Sequence, residues 1–527
     1  MMVVNKADKL FVNGIVMTQD QNQVACSQFA VQGNQILAVG EDLSAYVDGG
    51  TETIDLNGSV VVPGFIDTHL HFLWAGESLL TMPIHSARSK TDFCRIVTEY
   101  GKSQIPGTWL KGSGWNEHLF LDKSYPHRSW LDMAAPGHPM ILIRHDGHSG
   151  IASSTALDLA GINRDTPDPD GGVIDKDESG EPTGMLRDAA MGLVMNHIPE
   201  ESEADLDRYL ETSQGYLIER GVTAIGDMIY DMNHFRFLEK MARNGKLKVR
   251  VTAYTPIRKW KEMKALLEAG IYEDEWFQFK GLKAFCDGSL GSHTALMLKA
   301  YEDTPEKTGI YDTDWDDITL IRDTIAEADK LGFQTVIHAI GDRANREVLD
   351  IFEEVIQKNG PRDRRFRIEH AQHIHPDDQP RFAELGVVAS VQPSHCVDDS
   401  LYGEKLLGER CAYAYPFKSL KQSGGLLAFG SDWPVSPAEP VRTIHAAVHR
   451  AGWHMEESLG LEASLYAHTR DAAFAGFRDK DLGQLKSGYL ADFVILNPDF
   501  LHLDTMAESP EKLVQAVYVN GQKVMDA

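Results

Sequence analysis

Eight short apolar runs alternating with helical periods, a β-rich texture at both chain ends, and one long break in the alternation predict an α/β fold. The expected architecture is a (β/α)8 TIM-type barrel, with a small β-sandwich domain from both termini and a large insertion after the first barrel strand. The boundaries read as 1–60 with 482–527 for the sandwich, 61–481 for the barrel and 73–210 for the insertion.

Residues 8–60 contain FVNGIVMTQD, FAVQGNQILAVG and TETIDLNGSVVVPG, β-branched residues punctuated by NG and GN turns. The texture returns in GYLADFVILNP and VQAVYVNGQKV. Chain ends commonly lie close together, so the two pieces are expected to share one sheet domain; two unrelated terminal hairpins are the alternative. The barrel strands are expected at VVVPGFIDTH (60–69), VTAIGDM (222–228), KVRVTAYT (248–255), FKGLKAFCDG (279–288), QTVIHAIG (334–341), RFRIEHAQ (365–372), VVASVQPS (387–394) and LLAFGSDWP (426–434). In DDITLIRDTIAEADKLG, Ile321, Ile325 and Ala328 share a helical face, Asp316 or Asp317 can cap, and Gly332 can stop the helix. RANREVLDIFEEVIQKNG repeats the logic with Val348, Phe352 and Val355, ending at Gly360. Such alternation with near-continuous apolar strands implies a parallel sheet covered on both faces, and eight units favour closure. From 73 to 210 the alternation is lost, and Trp, Gly, Pro and His accumulate. Lying above the catalytic end, this stretch is expected to supply much of the substrate pocket.

The 527 residues are 43% hydrophobic and 24% charged, ordinary for a globular protein, so core volume is not limiting. A net charge of −27 disfavours nucleic acid and anionic membranes as partners, because phosphate binding needs clustered Lys and Arg. A small-molecule substrate is the expected partner, and a homodimer the expected assembly at this size, although no residue points to it. Cys26, Cys94, Cys286, Cys396 and Cys411 are scattered and never form C-x-x-C, which fits a reducing compartment without disulfides. MMVVNKADKLFVNG lacks the apolar core of a signal peptide, and no stretch approaches a membrane span, so a cytoplasmic location is expected.

The strongest local signal is FIDTHLHF. His69 and His71, two apart at a strand end, face one side and can converge on one ion; alone they read equally well as packing or surface histidines. Placement raises the metal reading: His338 ends QTVIH, His370 ends RIEH and Asp432 follows LLAFGS, all at the strand ends where barrel sites form. Four His and one Asp suit Zn²⁺ and other borderline metals better than Ca²⁺ or Mg²⁺. Lys283 lies between Leu282 and Ala284 in GLKAFCDGS, pointing into the barrel. Burial lowers an ammonium pKa and yields a nucleophilic amine, able to take up CO2 as a carbamate that can bridge two cations. A lysine paired with Asp287 is the other reading, and the residues alone leave both open.

PGFIDTHLH, the lysine on the fourth strand, IHAIGDRA, IEHAQ and GSDWPV occur in order across almost the whole chain, and together they resemble the amidohydrolase superfamily. DGHSGIASSTALDLAGI, PDGGVI, GEPTGMLRDAA and KAFCDGSLGSHTA resemble its amidohydrolase-3 branch, which includes N-substituted formamide deformylases. The resemblance implies that His69, His71 and Asp432 hold the more buried metal. His338 and His370 would hold a second, with Lys283 bridging as its carbamate; branches differ in filling one site or two. The branch often has Arg where this chain has His293, so a titratable group replaces a fixed cation there, which bears on leaving-group or carboxylate specificity.

The expected function is metal-dependent hydrolysis of a non-peptide C–N bond, amide or formamide-like. A metal-activated hydroxide attacks the carbonyl, while Asp432 takes the water's proton and passes it to the leaving nitrogen. Trp115, His148, His293 and His395 are the substrate-binding candidates. Asn116, Arg144 and His145 also lie in the insertion, where His145 reads as a hydrogen-bonded loop residue. His373 and His375 read as loop groups near His370, Cys286 as a small buried apolar residue, and Trp433 and Pro434 as shaping the turn beside Asp432. The same site could serve ester or lactone hydrolysis or deamination. A non-catalytic barrel scaffold is the alternative of another class, and the presence of all six candidate ligands argues against it.

Overall fold

In a computed structural model that describes residues 5–122, 124–144, 149–169, 171–510 and 512–526, eight parallel strands pair in chain order. They are β1 (Phe65–Leu70), β2 (Val222–Met228), β3 (Arg250–Pro256), β4 (Phe277–Phe285), β5 (Gln334–Ala339), β6 (Arg367–His370), β7 (Val388–Val391) and β8 (Leu426–Phe429). The sheet curls until the segment after β8 reaches β1. There Asp432 N–H donates to the His69 carbonyl at 2.7 Å and His71 N–H to the Trp433 carbonyl at 2.9 Å. Every residue of β1, β2, β6 and β7 is buried, which is why these strands read as unbroken apolar runs despite the polar residues within them.

The run 60–69, expected as one strand, is two. Val60–Pro63 pairs with Ile15–Asp20 and Phe493–Leu496, whereas β1 pairs with β2. Gly64 lets the chain pass between the sheets: a Cβ there would lie 2.1 Å from the Thr223 hydroxyl oxygen. The first sheet has six strands, three from each end of the chain, and a four-stranded sheet holds Lys9–Val12, Gln28–Gln32, Gln35–Gly40 and Glu52–Asp55. Between them Phe11 stacks on Phe29, with ring centroids 4.5 Å apart, and meets Phe493 edge-on at 5.1 Å.

Around the barrel, helix α1 (Ile318–Lys330) buries Ile321, Ile325 and Ala328, and Asp317 caps it by accepting from the N–H groups of Thr319 and Leu320. Helix α2 (Asp342–Asn359) buries Val348, Phe352 and Val355 and stops at Gly360. The N-terminal ends of the strands are sealed by polar contacts. Gln334 Nε2 donates to the Ala475 carbonyl at 2.9 Å, and Arg250 donates through Nε and Nη2 to both oxygens of Asp492, at 2.7 and 3.0 Å.

Residues 77–207 fold as a compact unit of their own. Its five-stranded sheet runs in the order Gly172–Lys176, Pro182–Asp188, Ser149–Ala152, Met140–Arg144, Leu110–Trp115, and its core includes Phe93, Trp115, Trp130 and Leu142. All five cysteines are free, and among the described residues no helix is long and apolar enough to cross a membrane.

Candidate metal centre

The ends of β1, β6 and β8 bring ligand atoms together. One nitrogen or oxygen each from His69, His71 and Asp432 lies within 4.8 Å of the others, and a second such group joins His370, His395 and the same Asp432. Two of these residues turn the chain in the left-handed region, His370 with φ 72° and Asp432 with φ 61°. For non-glycine residues that conformation costs on the order of 1–3 kcal/mol each, a strain that clusters at functional sites.

Each imidazole is oriented by its other nitrogen. His69 Nδ1 donates to Glu369 at 2.6 Å, His71 Nδ1 to the Met228 carbonyl at 2.8 Å, and His370 Nδ1 to Gln392 Oε1 at 2.8 Å. The freed Nε2 atoms of His69 and His71 lie 3.4 and 3.2 Å from Asp432 Oδ1. His338 instead places Nε2 against the Gly288 carbonyl at 3.0 Å, leaving Nδ1 as its lone-pair nitrogen. Burial, then the Lys283 charge, pushes His69 down to about 4 and His338 to about 3, and burial with the His338 charge takes His370 well below its ordinary value. All three are therefore neutral donors at pH 7. Burial opposes ionisation of Asp432, but the neighbouring histidines, His69 foremost, hold its carboxyl well below the usual range.

Lys283 is buried, and its Nζ has no hydrogen-bond partner. Desolvation lowers its pKa to about 8. It does not pair with Asp287, whose carboxylate accepts instead from the backbone N–H groups of Leu296, Ile340 and Gly341 at 2.8–3.0 Å.

The amidohydrolase family profile matches residues 52–525. The chain belongs to this family. It is a metal-dependent hydrolase of the amidohydrolase type, a class that acts on small molecules. It is 39% identical to Protein LONG AFTER FAR-RED 3 of Arabidopsis thaliana, over 98% of this chain and 91% of that protein. To the N-substituted formamide deformylase of Arthrobacter pascens it is 27% identical, over 98% and 97%. A solved metal-dependent hydrolase from Pyrococcus furiosus superposes with a TM-score of 0.79 at 30% identity, covering 94% of this chain and 99% of that one.

In this amidohydrolase the structure gathers His69, His71, His370 and Asp432, with His338 packed on His370 at 4.4 Å between ring centroids. It also brings in His395, whose ring lies parallel to His370 within 11°. Trp115 is fully buried in the core of the 77–207 unit, and its Nε1 donates to the Leu142 carbonyl, the surroundings of a packed core aromatic. His293 pairs through Nε2 with Asp303 at 2.9 Å. Arg144 grips both oxygens of Glu117 at 2.8 and 2.7 Å. His145 and His148 fall outside the described residues. His375 accepts from the Asp377 N–H, His373 is buried beside Tyr415, and burial raises the Cys286 thiol well above its ordinary value.

Three residues of the site escape a reading from sequence. Glu369 is held ionised against burial by Arg367, which donates to it at 2.7 and 3.0 Å, and then by His69. Gln392 orients His370. Tyr230 stacks on His71 with its hydroxyl 3.4 Å from Nε2. The signal for Glu369 was a charged i, i+2 pair, Arg367 and Glu369, in an otherwise buried strand; Gln392 and Tyr230 carried none.

Proposed function

We propose that this amidohydrolase cleaves a non-peptide C–N bond of the amide or formamide type. The observation that carries the reading is the convergence of His69, His71 and Asp432 at the rim, beside the buried, unpartnered amine of Lys283. Neutral imidazoles and one carboxylate fit a borderline divalent cation such as zinc. In this reading His69, His71 and Asp432 hold one cation, and His338 and His370 a second. A fully buried amine without a hydrogen-bond partner fits conversion by CO2, with a proton released to solvent, to an anionic carbamate that would serve as a further ligand.

The cation's contribution is Lewis acidity and a water acidic enough to ionise near neutral pH. Glu369 keeps a proton on His69 Nδ1 and so reserves Nε2 as a donor. Asp432, held ionised, takes the proton of the attacking water and returns it to the departing nitrogen, without which an amine leaves poorly. The Tyr230 ring stacks on His71 beside these groups. The formamide class is favoured by the relative named N-substituted formamide deformylase.

The test is a substrate panel on enzyme loaded with zinc in bicarbonate: N-substituted formamides, other N-acyl amines, esters, lactones and aminated heterocycles. Stoichiometric release of amine and acid from the amides is expected, with Asp432→Asn lowering kcat by about 10²–10⁴-fold at saturating metal. Turnover confined to esters or lactones, or ammonia release from heterocycles, would replace this reading. Full metal loading with no turnover of any class would favour a scaffold.

A further inference from the structure

We infer that His395 is a metal ligand: it would join His370 in holding the second cation. This rests on the two-cation reading above and deepens it, because β7 carries none of the expected ligands.

Convergence is the first argument. The ligand atoms of His370, His395 and Asp432 all lie within 4.8 Å of one another, as do those of His69, His71 and Asp432. Asp432 is common to both groups, so the two adjoin. The second argument is His395 Nε2 itself. It is buried and has no hydrogen-bond partner. A histidine waiting for substrate at an open mouth would keep that nitrogen hydrated; one removed from water and left unpaired fits a bound cation.

The local chain explains how the two histidines are held together. Gln392 serves both: its side-chain Oε1 accepts from His370 Nδ1 at 2.8 Å, and its backbone carbonyl accepts the His395 N–H at 3.0 Å. One residue therefore sets the tautomer of His370 and the position of His395. Their rings lie parallel within 11°, with centroids 6.1 Å apart. With His338, whose ring packs on His370 at 4.4 Å between centroids, three imidazoles gather at this position.

The experiment counts metal and reads coupling between metals, without reference to turnover. Wild type, His395→Ala and His395→Gln are loaded with Zn²⁺ in bicarbonate, passed over a desalting column and analysed for metal per chain. Mn²⁺-loaded samples are examined by electron paramagnetic resonance. Wild type is expected to carry two ions with an exchange-coupled manganese spectrum. Both variants should keep one ion, bind the second on the order of 100-fold more weakly, and show an isolated six-line spectrum. Variants that retain two coupled ions at wild-type affinity overturn the inference alone and return His395 to substrate. A wild type that binds only one ion overturns the two-cation reading, and the inference with it. If His395→Ala loses its cooperative melting transition, His395→Gln, which keeps the side-chain volume, decides.

Discussion

Inside one barrel, two buried polar layers treat charge in opposite ways. Toward the strand N-termini, Arg250 and Arg367 are fully buried, and both are answered. Arg250 meets Asp492 in a bidentate pair, while Arg367 meets Glu369, the Thr68 carbonyl, the Ser390 hydroxyl and Tyr254. At the C-terminal rim, Lys283 Nζ and His395 Nε2 are buried without partners, and His370 and Asp432 sit in a strained backbone. A buried polar group without a partner carries its full desolvation penalty, which a bound cation at the rim would relieve. On the proposed reading, the answered layer serves stability and the unanswered layer serves chemistry. Each substitution below separates the two or shows them to be one.

The largest effect is expected at Lys283. In metal-free, bicarbonate-free buffer, Lys283→Met removes a buried charge whose pKa is depressed by desolvation from 10.5 to about 8. At about 1.4 kcal/mol per pKa unit, the apo-protein should gain about 3 kcal/mol at neutral pH. The unfolded chain binds more protons than the folded one between the two pKa values, so wild-type stability rises with pH across 8 to 10.5. The variant's advantage should shrink to nothing over that window, as measured by denaturant unfolding at several pH values. Turnover of the loaded enzyme should fall by about 10²–10³-fold, the scale of losing one preorganised electrostatic group. A destabilised variant would mean that Lys283 is answered after all.

Arg250→Met tests the other layer. It strands Asp492 with only the Asn520 N–H, and breaking a buried pair from one side costs about 3–5 kcal/mol. Metal per chain and kcat should not change. A loss of metal would show that the layers are mechanically one.

Glu369 belongs to both layers, since it accepts from Arg367 below and from His69 above. Glu369→Gln keeps the volume but weakens the hold on His69 Nδ1–H, and should weaken the first cation by about 10–100-fold in a chelator competition. Unchanged affinity would confine Glu369 to the stability layer.

How much of this was legible follows from the range of each signal. His69 and His71 were readable because a period of two acts over three residues. His338, His370 and Asp432 were readable because strand ends can be located from apolar runs. The (β/α)8 order followed from the same runs. The break at Gly64 was not legible: both sheets demand apolar residues, so VVVPGFIDTH looks continuous, and only Thr223 across the junction divides it. The choice for Lys283 was open because it turned on the partners of Asp287, which are the backbone amides of Leu296, nine residues on, and of Ile340 and Gly341 after the next strand. Trp115 shows the limit of composition: a Trp-rich stretch says that large side chains must be buried, not whether substrate or protein buries them. His395 reads as the end of the seventh strand, whereas it lies in the short helix Pro393–Asp399 that follows, so its neighbours depend on the turn at Gln392.

The smallest expected effect sits behind the rim. Trp433, which follows Asp432, stacks on Tyr216 at 4.5 Å between ring centroids, and the Arg220 guanidinium lies 3.5 Å from the other ring. The Trp433 carbonyl accepts the His71 N–H, so the stack braces the turn that joins both ends of the first ligand group. Tyr216→Leu keeps the burial and removes the aromatic contact, a loss of about 0.5–1.5 kcal/mol. Because the backbone bonds from Asp432 to His69 and from His71 to Trp433 survive, the melting temperature should drop slightly while metal per chain holds and kcat changes by no more than a few-fold. A variant that keeps its stability but sheds metal would mean that the aromatic pair, rather than the backbone closure of the barrel, positions Asp432, and that the chemistry layer extends one residue deeper than the ligands.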